Sequence, residues 1–98
     1  MTDAPIWQLE DFEERLDTWV ALENPPDDLV REVLAWILGR YDDPYQGVRR
    51  EPGFDNLWYG VVPGTAHGHE RVVTCSYWIT ETTRTVRCNS IATLSWPA

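Results

Sequence analysis

Between Leu9 and Glu23 the apolar residues Leu9, Phe12, Leu16, Trp19 and Val20 recur at steps of three and four, with Glu10, Asp11, Glu13, Glu14 and Asp17 on the remaining face. That spacing predicts an amphipathic helix. Acids crowd its first turns, where the helix dipole favours negative charge. The stretch before it, Pro5 to Gln8, suits an edge strand or a simple lead-in. Asn24-Pro25-Pro26-Asp27-Asp28 then ends one helix and begins another, because proline suits a first turn and Asn24 or Asp27 can cap it. Leu29, Val33, Trp36, Ile37 and Tyr41 form a second apolar stripe, broadened by Val30 and Leu34, and Gly39 with Asp42-Asp43-Pro44 stops it. So short a turn predicts two helices lying side by side, roughly antiparallel.

From Tyr45 the period changes. Pro44, Gly47, Pro52 and Gly53 punctuate a connecting segment that carries Arg49-Arg50, and Phe54 to Val62 reads as a strand. Residues 63 to 69 form a loop of small and polar residues. Arg71 to Thr80 and Arg84 to Leu94 are rich in β-branched and aromatic residues and predict a hairpin. With Thr82-Thr83 as a two-residue turn, Ile79 lies opposite Val86, Tyr77 opposite Cys88 and Cys75 opposite Ser90, on the face toward the helices. The other face then carries Thr74, Ser76, Trp78, Arg87, Asn89 and Ile91, with Trp78 directly opposite Arg87. The fold class is α+β: a two-helix hairpin packed on a small antiparallel sheet of three to four strands.

Composition narrows this picture. A chain of 98 residues, 43% hydrophobic and with six Trp, suits one domain spanning residues 1–98 with a single core. No apolar run reaches the ~18 residues of a membrane span, and the first ten residues lack the basic start and apolar core of a signal peptide. The expected location is cytoplasmic, without a membrane partner, and Cys75 and Cys88 there read as reduced thiols. The net charge of −8 is unevenly placed: residues 1 to 43 carry −9 and residues 44 to 98 carry +1. The acidic total argues against nonspecific nucleic-acid binding, since that affinity rests on clustered cations. The second half escapes the objection, and every cation in the chain is Arg, the side chain suited to bidentate phosphate or carboxylate recognition.

The order of elements, with Asp43-Pro44-Tyr45-Gln46-Gly47-Val48, then Asn56-Leu57-Trp58, then the strand opened by Arg71 and the closing Val86-Arg87-Cys88-Asn89-Ser90-Ile91, resembles the RelE/ParE toxin superfamily of bacterial toxin-antitoxin systems. In that family an optional first strand leads into a helical hairpin, an Asp-Pro and Gly segment follows, and an Arg-opened strand pairs with a closing strand. The resemblance implies a toxin or toxin-like component of a type II pair with a cognate antitoxin as partner. It further implies a metal-independent mRNA endoribonuclease inhibiting translation at the ribosome, or gyrase inhibition. It places Arg71 where the ribonuclease branch contacts the scissile phosphate, and Arg49 and Arg50 where that branch keeps basic residues. The chain differs in lacking lysine, in its acidity, and in ending on Ser95-Trp96-Pro97-Ala98.

RNA cleavage by 2′-hydroxyl attack needs a base, an acid and cations for the developing charge. The candidate catalytic set is Arg71, Arg49, Arg50, Tyr77, His67 and His69, with Arg87, Trp78 and Tyr59 as an RNA-stacking surface. No cofactor or metal is expected; His67-Gly68-His69 would need a third ligand to hold one. Each has a plainer counterpart: loop histidines in solvent, Arg71 and Arg87 as surface partners of Glu70 and Glu81, and aromatics used for packing. The alternative function is a noncatalytic acidic binding or inhibitor protein acting through its helical face.

Overall fold

The computed structural model describes residues 7–66 and 71–95. Its elements in chain order are β1 (Gln8–Glu10), α1 (Phe12–Glu23), α2 (Asp27–Gly39), β2 (Arg49–Arg50), β3 (Leu57–Val61), β4 (Arg71–Thr80) and β5 (Thr85–Ser95). The α+β class holds, but the sheet has five strands, not three to four, in the order β1-β5-β4-β3-β2. It is also mixed, because β1 runs parallel to β5 while the other pairs are antiparallel. The two additional strands are three and two residues long. β1 takes up Gln8 from the stretch that suited an edge strand, whose Pro5 and Ile6 lie outside the described residues, and runs on to Glu10, whereas β2 is too short for alternation to mark it.

The first helix also starts later than its apolar stripe. Leu9 fits the helical period but faces inward from β1, and Asp11, with φ of 64°, turns the chain before Phe12 opens α1. At the other end Asn24 takes φ of 47° and its N–H returns to the Val20 carbonyl, so it closes α1 instead of opening α2. Asp27 and Asp28 lie in the first turn of α2, where its dipole favours them.

One apolar cluster holds the two layers together. Phe12 and Trp19 of α1 and Leu29, Val33 and Ile37 of α2 meet Val73, Cys75, Tyr77, Ile79, Val86, Cys88 and Ile91 of the sheet, and all are buried. Trp19 adds a polar tie, its Nε1 donating to Thr93 Oγ1 at 2.9 Å. No described helix is long and apolar enough to cross a membrane.

The hairpin register is as expected near the turn, with Ile79 opposite Val86 and Tyr77 opposite Cys88. It then shifts by one residue, so that Cys75 faces Ile91 and Ser76 faces Ser90. Asn89 is the additional residue of a β-bulge. The bulge resets the parity of β5, turning Ile91 and Thr93 toward the helices instead of leaving Ile91 on the outer face. Both cysteines are free and buried, and their Sγ atoms lie 4.0 and 3.9 Å from the Ser76 carbonyl oxygen. The neighbouring Cys88 thiol, and then burial, push the Cys75 thiol up.

Between α2 and β2 the chain crosses β3 at close range. A Cβ built on Gly60 would lie 3.0 Å from the Gly47 carbonyl oxygen and 3.0 Å from Val48 Cγ1. Gly47 itself takes φ of 73°, where glycine is preferred. Gly60→Ala is expected to cost about 1–2 kcal/mol through this overpacking. A urea-unfolding midpoint equal to that of the parent would show that the 47–48 segment moves aside freely.

Candidate functional site on the open sheet face

Strand alternation divides the sheet into a covered and an open face. Val73, Cys75, Tyr77 and Ile79 of β4 point to the helices, so Val72, Thr74, Ser76 and Trp78 point away. Register then builds rows across the open face. Arg49 faces Tyr59, Tyr59 faces Ser76 and Ser76 faces Ser90, so four strands contribute to one row. In the next row Leu57 faces Trp78 and Trp78 faces Arg87, with Glu10 of β1 beyond Arg87.

The middle of the face is hydroxyl-rich and locally ordered. Ser76 Oγ and Ser90 Oγ are 2.9 Å apart, and the bulged Asn89 donates from Nδ2 to Ser76 Oγ at 3.0 Å. Around them opens a shallow groove of about 600 Å³, lined by Arg49, Tyr59, Val61, Thr74 and Leu94 as well as the two serines. Trp78 is half-buried and braced by Phe54, ring centroids 5.7 Å apart and nearly perpendicular. Glu51 also lines the groove, and Glu10 shares a second hollow with Trp78 and Arg87. The two arginines are thus balanced by two carboxylates.

This face unites Tyr59, Trp78, Arg87 and Arg49. The remaining catalytic candidates are not with them. Alternation puts Arg71 and Tyr77 on the helix-facing side of β4, and Arg50, paired with Trp58, on that side of β2. Arg71 and Arg50 are exposed, whereas Tyr77 has no exposed surface. Its hydroxyl donates to the Pro44 carbonyl and accepts from Arg40 Nη1 at 3.2 Å. Burial pushes this phenol up to about 12, against the opposing pull of the Arg40 cation. It holds its proton at neutral pH and is enclosed by packing. His67 and His69, with Glu70, lie outside the described residues. Among the described residues no three His, Cys, Asp or Glu side chains gather to hold a metal ion.

The residue that sequence reasoning missed is Arg40, a cation only 3% exposed. Its guanidinium carbon lies 4.2 Å from the centroid of the Trp36 ring, and Nη1 also donates to the Gln46 carbonyl at 2.8 Å. Nε has no partner among the described residues. Beside these two acceptors, the Gln46 carbonyl and the Tyr77 hydroxyl, the carbonyl-rich C-terminus of α2 and the Trp36 ring compensate the charge. Arg40 thereby ties the 44–46 turn to the core of the sheet. The i, i+4 spacing of Trp36 and Arg40 was the available signal.

Comparison of the chain with protein-family models, with curated proteins and with solved structures found no match in any of the three. What the geometry itself defines is a two-layer α+β domain whose sheet is covered by helices on one face and carries an arginine- and aromatic-bearing groove on the other.

Proposed function

We propose that this domain is the toxin-like component of a type II toxin-antitoxin pair and that it acts by holding single-stranded RNA on the open face of its sheet. The observation that carries this reading is the convergence of Arg49, Tyr59, Trp78 and Arg87 there. Aromatic rings on a sheet stack with unpaired bases of any sequence, and guanidinium groups beside them meet the phosphates. The element order supports the toxin resemblance: a first strand, two helices, the Asp43-Pro44 and Gly47 segment, and a strand opened by Arg71 that pairs with the closing strand.

Charge decides how such a face would bind. The acids of α1 and α2 belong to the layer on the other side of the sheet, and salt, with a Debye length of about 8 Å at physiological strength, weakens their repulsion at the open face. Glu10 and Glu51 are closer and offset Arg87 and Arg49. Affinity therefore comes mainly from stacking, with two local phosphate contacts. Scission needs an acid, a base and cations at one phosphate, and Tyr77 and Arg71 are on the other face; the reading is occlusion of RNA, not cleavage by those residues.

The test is fluorescence anisotropy with a labelled 12-nucleotide single-stranded RNA. Tyr59→Ala and Trp78→Ala should each weaken binding about tenfold. The slope of log K against log salt should be shallow, about −1.4 for two phosphate contacts, and Arg49→Ala should lower its size by about 0.7. Absence of binding by the intact protein at low salt, or binding by the two aromatic variants as tight as that of the intact protein, would overturn the proposal.

A further inference from the structure

Across the domain from the open sheet face, the helical layer carries a surface that RNA binding does not use. A groove of about 690 Å³ runs between the helices, with Phe12 and Leu16 of α1 on one side and Leu34, Ile37 and Leu38 of α2 on the other. Leu34 is 43% exposed and Leu38 53% exposed, although both extend the apolar stripe of α2. Along the α1 side stand Asp11, Glu13, Glu14 and Asp17. None of these four carboxylates has an ion-pair partner among the described residues.

We infer that this groove is a docking site for one cationic amphipathic helix of a partner protein. The apolar lining asks for an occupant with an apolar stripe, and a channel between two helices fits the ridge that a third helix presents at i, i+3, i+4 and i+7. The rim selects its charge. Four unpaired carboxylates along one wall attract an occupant whose flanks carry lysine or arginine, and repel an acidic one. That same repulsion disfavours a second copy of this chain: α1 and α2 are both acidic, and their association through this surface would bring carboxylates onto carboxylates. The α1 wall, 12 residues long, spans about 18 Å, enough for roughly three turns of bound helix. The inference is independent of the RNA reading, since it involves neither Tyr59 nor Trp78.

The experiment uses a labelled 18-residue Leu/Lys peptide with its leucines on one helical face, a scrambled peptide of identical composition, and a Leu/Glu peptide of the same pattern. Anisotropy should give at least tenfold tighter binding of the patterned cationic peptide than of the scrambled one, and no binding of the acidic one. Amide chemical-shift changes should cluster on α1 and on residues 34–41. Leu34→Gln with Leu38→Gln, both at exposed positions, should weaken the patterned peptide about tenfold, and Glu13→Gln with Asp17→Asn should weaken it and flatten its salt dependence. Tyr59→Ala should leave it unchanged, which separates failure here from failure of the RNA reading. Equal binding of patterned and scrambled peptides would overturn the inference, as would shift changes on the sheet face. Concentration-dependent dimerisation abolished by the two leucine substitutions would reassign the groove to a second copy.

Discussion

Trp19→Ala is expected to remove about 3–5 kcal/mol of stability, the range for deleting a large buried aromatic ring. A domain of this length has about 5–15 kcal/mol in all, so the loss is a large share of the total. Trp19 is 2% exposed and fills the seam where α1 meets β5, and its indole N–H is the donor for Thr93. Removing the ring leaves a cavity that neither the sheet nor α2 can close without moving. The melting temperature should fall by at least about 12 °C, at roughly 4 °C per kcal/mol for a chain this size. Trp19→Phe separates the two contributions, since most of the volume returns while Thr93 loses its donor, for a smaller cost of about 1–2 kcal/mol. A urea titration in which the alanine variant loses less than about 1 kcal/mol would show that α1 is not anchored through this ring.

The second large effect depends on pH. Tyr77 titrates near 12 in the folded protein, against about 10 when unfolded. Its contribution is fully present below pH 10. Between 10 and 12 the unfolded chain releases the phenolic proton while the folded chain keeps it, so stability falls, by roughly 2–3 kcal/mol once the folded pKa is passed. Tyr45, also pushed up to about 12 by burial and by its bond to Glu81, acts in the same window, with a smaller share because it is partly solvated. Tyr77→Phe should cost about 1–3 kcal/mol at pH 7, where it strips Pro44 of a donor and Arg40 of an acceptor. The variant cannot titrate there, so its curve and the parent's should converge above pH 11. Parallel curves would show that Tyr77 does not control the alkaline limb. The chain has no lysine, and the Cys75 thiol, also pushed up, shares the alkaline limb with Tyr45, so the comparison with Tyr77→Phe is what isolates the Tyr77 share.

Both helices, the β4–β5 hairpin and the Trp78–Arg87 pairing were legible in the sequence because each rests on a periodicity sustained over ten or more residues. Of the short strands, β1 was legible only as an edge strand or lead-in ending at Gln8, and β2 was not legible at all. Leu9 satisfies a helical stripe and a strand equally well, and only the reversal at Asp11 decides between them. The bulge left a faint mark: Val86 and Cys88 share a parity that Ile91 and Thr93 break. Of the candidate site, Tyr59, Trp78, Arg87 and Arg49 share a face because strand register carries them there. Tyr77 was misleading as a chemical group because sequence shows a phenol but not its enclosure. Arg40 was overlooked because an arginine at a helix end ordinarily reaches solvent.

The parallel pairing of β1 with β5 has a kinetic consequence. β5 is an interior strand of the sheet and the last of the described elements, flanked by β1, the first of them, and by β4 just before it. Gln8 must find Thr85 across most of the polypeptide. Until that encounter, α1 has no β5 to pack upon and Trp19 no Thr93 to reach. Contacts of such long sequence separation slow folding, because chain entropy is lost before they offset it. A growing chain would therefore expose its helical apolar stripes until β5 is available, and folding should complete late and in one cooperative step.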